Sequence, residues 1–147
     1  MTSLLIFVGL CTWIVLSYKC TVLRRKGEKY LVRWTLLSFF GLFSIKVHKI
    51  YMSDPAVLHD HPWSYISIIL KGGYAETREF KDSSGITFGV STYYKPGSIL
   101  FRSGKYPHRI VILDSKVATT IVITGPKFRK WGFVENGVWK DNSELEY

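Results

Sequence analysis

After Phe43 the chain alternates apolar and polar side chains with the period of a strand: Phe43, Ile45 and Val47 interleave with Ser44, Lys46 and His48. A period of two sends successive side chains to opposite faces of a sheet, so one face can be buried while the other meets water. Strand-like runs recur over Tyr65–Leu70 (YISIIL), Tyr74–Phe80 (YAETREF), Thr87–Tyr94 (TFGVSTYY), Ile99–Arg102, His108–Leu113, Ala118–Thr124 and Lys130–Glu135. Turn residues separate them: Gly72-Gly73, Asp82-Ser83-Ser84-Gly85, Pro96-Gly97, Gly125-Pro126 and Asn136-Gly137. Short strands so punctuated, with no internal helical period, predict an all-β antiparallel sandwich or barrel over residues 43–147.

The first 42 residues read differently. Thr2–Tyr18 (TSLLIFVGLCTWIVLSY) holds no charged side chain. At about 1.5 Å per helical residue, this run with a residue or two added crosses a ~30 Å hydrocarbon layer. Residues 1–19 are therefore expected to form a transmembrane helix. No basic segment precedes the run and no small-x-small site follows it, which argues against a cleaved signal peptide. Trp13 and Tyr18 suit a membrane interface, and Lys19, Arg24, Arg25 and Lys26 follow. By the positive-inside rule the expectation is a single-pass membrane protein with its domain on the cytoplasmic side. Residues 20–42 then read as a basic linker (Arg24–Lys29) and an amphipathic, apolar segment beginning LVRWTLL at Leu31. That segment is too short for a second span and is expected on the membrane surface or against the barrel.

Composition supports a folded core. Of 147 residues, 47% are hydrophobic and 16% aromatic, enough apolar material for one domain. The net charge of +9 is concentrated at one end: residues 1–33 carry six bases (Lys19, Arg24, Arg25, Lys26, Lys29, Arg33) against Glu28 alone. No basic stripe interleaved with aromatics crosses the strand region, so nucleic acid is not an expected partner. Cys11 and Cys20 form no metal-type pair and no disulfide framework, and both are expected reduced.

Three of the four histidines fall in two short motifs. His59-Asp60-His61 precedes YISIIL, and His108 follows the Pro96-Gly97 turn and the strand Ile99–Arg102. In an extended backbone residues i and i+2 point the same way, so His59 and His61 can present two imidazoles to one ion. A third imidazole from a neighbouring strand makes a facial set with open positions for water, substrate or oxygen. Imidazole ligands suit zinc, iron, copper or nickel.

These two blocks, HDHPWSYISIILKGGYAE and KPGSILFRSGKYPHRIVIL, resemble the two motif boxes of the cupin superfamily, over about Leu58–Leu113. The closing ATTIVITGPKFRKWGF is similar to that of small uncharacterised cupin-domain proteins sharing the HDHPW block. The resemblance implies a cupin-type double-stranded β-helix, a jelly-roll barrel. It also implies His59, His61 and His108 as ligands of one divalent transition metal, iron foremost, with zinc, nickel, manganese or copper as alternatives. One departure stands out. Where cupins usually carry a glutamate shortly after the second histidine, this chain has Tyr65 or Ile66. Three-histidine cupins such as thiol dioxygenases lack that glutamate too.

Around this set, Tyr65 shares the phase of His61 and is a candidate to orient a substrate. His48 lies on a strand just upstream, and Asp54 or Asp60 could hold the second nitrogen of a ligand imidazole. Arg102 and Arg109 flank the second motif as a possible clamp for an anionic substrate, Arg102 being the catalytic candidate of the two. Trp63, Trp131 and Phe133 are expected to fill the barrel or its rim. Two function classes follow: a membrane-anchored metal enzyme, a dioxygenase of a small molecule, or a non-enzymatic ligand-binding or structural subunit of a membrane complex. Partners are then a small molecule and the membrane, with a homodimer a further possibility.

Overall fold

The computed structural model describes residues 19–114, 116–135 and 137–144 of the chain. Twelve strands, and a single 3-10 turn at Asn142–Glu144, make up the regular structure of these residues. They are β1 (Lys19–Arg25), β2 (Glu28–Phe39), β3 (Phe43–Ile50), β4 (Leu58–His59), β5 (Tyr65–Lys71) and β6 (Tyr74–Lys81). There follow β7 (Thr87–Tyr94), β8 (Ile99–Arg102), β9 (Arg109–Val111), β10 (Ala118–Thr124), β11 (Gly132–Glu135) and β12 (Val138–Asp141).

One sheet runs β1-β2-β3-β10-β5-β8, and two three-stranded sheets run β12-β11-β4 and β7-β6-β9. An isolated bridge between His59 and His108 joins β4 to the start of β9, so the smaller sheets continue each other as β12-β11-β4-β9-β6-β7. The all-β antiparallel barrel expected from the strand pattern, with the jelly-roll form implied by the resemblance, is thus present.

Residues 20–42 are not a linker and surface segment. Arg25 pairs with Glu28, and Lys26 and Gly27 both have positive φ (50° and 82°), so β1 and β2 form a two-residue hairpin. Both turn residues at φ > 0 is the geometry that matches the right-handed twist of the flanking strands, and glycine takes it without strain. Two features hide β2 from a period-two reading. Leu31 and Val32 are both buried, so neighbouring positions are apolar on both faces, and the register slips between Thr35 and Leu37. A bulge of that kind shifts every later side chain by one face.

The expected single-pass membrane topology, with the domain on the cytoplasmic side, is likewise corrected. Among the described residues no helix is long and apolar enough to cross a membrane. The basic collar on which that orientation rested consists of strand and turn residues of the hairpin, and Lys19 opens β1. Thr2–Tyr18, the run read as a span, and Cys11 lie outside the described residues. Cys20 is exposed on β1 and forms no disulfide.

Register arranges the inner face of the large sheet in rows. Leu31, Ile50 and Ala118 are cross-strand partners, and with Ile69, Tyr74 and Leu100 they form the buried apolar cluster. Each of the leucine and isoleucine side chains, fully buried, contributes roughly 1.5–3 kcal/mol of transfer free energy. The next row is Arg33–His48–Thr120, and beyond it come Thr35–Lys46–Val122 and then Ser44–Thr124–Tyr65–Arg102. Apolar packing therefore closes one end of the barrel, and polar side chains face inward toward the other. Ser44 and Thr124, both buried, satisfy each other at 2.6 Å.

Candidate metal centre

The first histidine ends β4, the second follows two residues on, and the third precedes β9. Backbone pairing brings the outer two together: His59 N donates to His108 O and His108 N to His59 O, each at 2.9 Å. His61 is fixed by its own N–H, which donates to Gly104 O at 3.0 Å. That contact needs a glycine, because a Cβ at Gly104 would meet Trp63 O at 2.6 Å and His61 O at 2.7 Å.

The three imidazoles converge. Ring centroids are 5.0 Å apart for His59–His61, 4.9 Å for His59–His108 and 5.1 Å for His61–His108, a nearly equilateral triangle. One ligand nitrogen from each lies within 4.8 Å of the others. His61 Nε2 and His108 Nε2 are 2.8 Å apart, close enough for an N–H···N hydrogen bond when one ring is protonated there.

Buried carboxylates stand behind two of the rings. Glu76 on β6 places Oε1 2.6 Å from His108 Nδ1, which leaves Nε2 facing the cluster. Glu76 is held in turn by Arg102, whose Nε lies 3.0 Å from each carboxylate oxygen and whose Nη2 also donates to it. Burial alone would raise the Glu76 carboxyl, but hydrogen bonds from His108 and Arg102 outweigh it and hold it at about 2. Asp54 Oδ2 lies 3.7 Å from His59 Nδ1 and accepts from Ile110 N at 2.6 Å, while Tyr30 donates to Oδ1.

Burial also sets the protonation of His59 and His61. It pushes His59 down to about 4, partly offset by the charge on Asp54. His61 is likewise lowered well below its ordinary value, by burial first and then by His59 and His108. Neutral imidazoles at pH 7 are the form in which histidine ligates metal. Tyr65 on β5 is half-buried beside them, its hydroxyl 3.3 Å from His108 Nε2 and its ring edge-on to His61. Burial raises its phenol well above the ordinary value, so the group stays protonated. Ile66 pairs with Phe101 and Ile123, on the opposite phase. Where a cupin-type glutamate was looked for, a neutral phenol faces the site.

Other expected residues divide. His48 lines the same inner cavity, of about 90 Å³, and accepts from Arg33 Nε at 3.1 Å. Trp63 stacks on His61 at 5.1 Å, and Trp131 and Phe133 line an outer cavity of about 540 Å³ that shares His59 and His61 with the inner one. Asp60 does not hold a ligand imidazole. Its side chain points the other way, accepting from Gly132 N at 2.7 Å, Trp139 Nε1 at 2.9 Å and Arg129 at 2.7 Å, and it ties β4 to β11 and β12. Arg102 is engaged by Glu76, Tyr94 and Phe101 O, and neither Arg102 nor Arg109 lines either cavity. The pair therefore does not form the anion clamp the motif suggested.

Glu76 was missed by the sequence reading. Its signal was its phase: in YAETREF it shares a face with Tyr74, so one acid of that strand faces inward.

No family model matches the chain, and no curated protein matches it in sequence. Solved structures do match in fold. A cupin-2 domain from Rhodospirillum rubrum superposes with a TM-score of 0.60 at 11% identity, over 81% of this chain and 76% of that one. The chain has the cupin fold. The polyketide cyclase RemF from Streptomyces resistomycificus is similar at a TM-score of 0.58 and 19% identity, over 82% of each chain. An iron(II) form of HppE matches at 0.58 and 14%, covering 73% of this chain. This cupin barrel spans 56% of the HppE chain. In sequence terms these are distant similarities, and they establish the barrel and its strand order.

Proposed function

We propose that this cupin binds one divalent transition metal, iron foremost, through His59, His61 and His108, and acts on a small molecule beside it. The observation that carries this is the convergence of three imidazole nitrogens, one buried and two half-buried, within 4.8 Å, with two of the rings backed by carboxylates. The residues fit the ion. Two nitrogens about 2.1 Å from one ion and at right angles to it lie about 3.0 Å apart, against 2.8 Å between His61 and His108. Among the described residues the converging ligand group is three histidines, which leaves positions open, and the similar HppE structure is an iron(II) form.

When bound, iron at a three-histidine face supplies redox capacity and Lewis acidity at its open positions, and oxygenation of a small molecule, dioxygenase chemistry, is the reading it favours. The chain's own groups do the rest. Glu76 holds the proton of His108 at Nδ1 and thereby orients the ring, and Arg102 fixes Glu76. Tyr65 keeps its phenolic proton and presents an O–H donor at the cavity wall. Trp63, stacked on His61, shields the pair from water on that side.

The test is elemental analysis of the purified full chain after loading with iron, zinc, nickel or manganese, repeated for His61→Ala and His108→Ala. One equivalent in the parent and none in either variant supports the reading; a parent that retains no metal sinks it. Oxygen uptake with thiols and small acids then separates an oxygenase from a binding protein.

A second reading concerns assembly. Edge strand β7 exposes Phe88 (46%) and Val90 (40%) to solvent, an apolar strip that supports a homodimer or a subunit role in a complex. Light scattering of the parent and of Phe88→Lys distinguishes this: a dimer that the substitution dissociates supports it, and a monomeric parent excludes it.

A further inference from the structure

The outer cavity is lined by four bases and no acid: Arg24 and Arg25 at the end of β1, Arg33 on β2 and Lys46 on β3. Among the described residues none of the four makes an ion pair. Outside the described residues, 1–18 contain no acid and Glu146 is the one acidic side chain.

Arg24 is partly satisfied by its own turn, donating to Gly27 O at 2.9 Å. The other three are less well provided for. Arg25 Nη1 is buried without a hydrogen-bond partner, and its guanidinium lies 5.1 Å from the Tyr30 ring. Arg33 donates Nε to His48. Lys46 holds its ammonium 4.6 Å from the Trp63 ring centre. Register sets Arg33 opposite His48 and Lys46 opposite Thr35, so both cations share one face, one row apart.

Half-buried like charges with no counter-ion among the described residues are costly, and the cost is visible in their proton affinities. Burial and then the charge of Arg33 push Lys46 down to about 8, and burial lowers Arg33. An ordinary solvated basic face carries no such penalty. Beside the cations stand apolar surfaces, Trp131 and Phe133, and at the cavity's inner side His59 and His61.

We propose that the outer cavity seats a small organic anion. Its carboxylate or phosphoryl head rests on Arg25, Arg33 and Lys46, its apolar body on Trp131 and Phe133, and its reacting end faces His59 and His61. The last clause alone rests on the metal-centre reading. Arginine and lysine together suit an oxyanion, the guanidinium by paired donors and the ammonium as a point charge.

The test titrates benzoate, inorganic phosphate and benzyl alcohol calorimetrically into the full chain, before and after treatment with a chelator. Benzoate or phosphate is expected to bind, more weakly as salt rises, with benzyl alcohol at least about tenfold weaker than the better anion. Lys46→Gln and Arg25→Gln are each expected to weaken the anion about tenfold, while Arg78→Gln, on β6 away from this cavity, leaves it unchanged. Chelator-treated protein should still bind the anion, whether or not the metal reading holds. Binding lost on chelation yet unaffected by Lys46→Gln and Arg25→Gln overturns the inference, since the anion is then a metal ligand. Benzyl alcohol binding as tightly as the anions overturns it, and so does a folded protein that binds neither anion.

Discussion

Glu76 Oε1 sits 2.6 Å from His108 Nδ1, with both side chains buried and Arg102 behind the carboxylate. A charge removed from water here is tolerable because its two partners are fixed on β8 and at the start of β9. Replacing Glu76 with Gln keeps the volume but removes the charge that orients His108. Metal affinity is expected to fall roughly 10–100-fold, read by competition against a chromogenic chelator. Arg102→Gln should lower thermal stability more than it lowers metal affinity, because it leaves the buried carboxylate short of a counter-charge.

Tyr65→Phe removes only the hydroxyl near His108 Nε2. Metal content is expected to stay at the parent level and stability to change by about 1 kcal/mol. Any turnover found with the parent should drop, because the donor at the cavity wall is gone. Equal turnover in parent and variant would remove Tyr65 from the substrate's contacts.

Acid sensitivity follows from His48. Burial, then Arg33 and Lys46, lower it to about 3 from an ordinary value of 6.5. Between those values the unfolded chain binds the proton and the native chain does not, so protons favour unfolding. The stability this group contributes is complete above about pH 6.5 and is lost as pH falls toward 3, on the order of 5 kcal/mol in all. Urea midpoints measured from pH 7 to pH 4 should fall less steeply for His48→Gln than for the parent.

Gly104→Ala tests how the loop before His108 seats His61. The added methyl meets two backbone carbonyl oxygens, which have no freedom to step aside. A loss of roughly 1–3 kcal/mol is expected from denaturation, together with weakened metal retention as His61 shifts.

The N-terminal hairpin can be tested at its turn. Gly27→Val forces a β-branched residue to φ 82° and should destabilise the chain by about 1–2 kcal/mol. A segment acting only as a linker would tolerate that substitution without a change in unfolding midpoint.

Eight of the ten strands from Phe43 onward were legible, because turn residues bracket them and each keeps at least one wet face; β4 (Leu58–His59) and β12 (Val138–Asp141) were not read from the sequence. Thr87–Tyr94, Ile99–Arg102 and Ala118–Thr124 were bounded to the residue by their turn signals. The hairpin before them was not, since Leu31 and Val32 are covered on both faces and a bulge after Thr35 breaks the alternation. The histidine cluster was legible through its i, i+2 spacing and the second motif. Its supports were harder to see. Asp54 and Asp60 are both short acids near the motif, and only the fold shows that one turns toward His59 and the other toward β11. Glu76 and the outer-cavity cations come from strands distant in sequence, where contact depends on sheet order that no local pattern records.

The paired backbone hydrogen bonds between His59 and His108 also bear on dynamics. They are the seam at which β4 meets β9, so parting the two rings by a backbone movement means unzipping one face of the barrel. Fluctuations that would release a bound ion by this route then cost nearly the full unfolding free energy, and the amide protons of both residues should be among the slowest to exchange with deuterium.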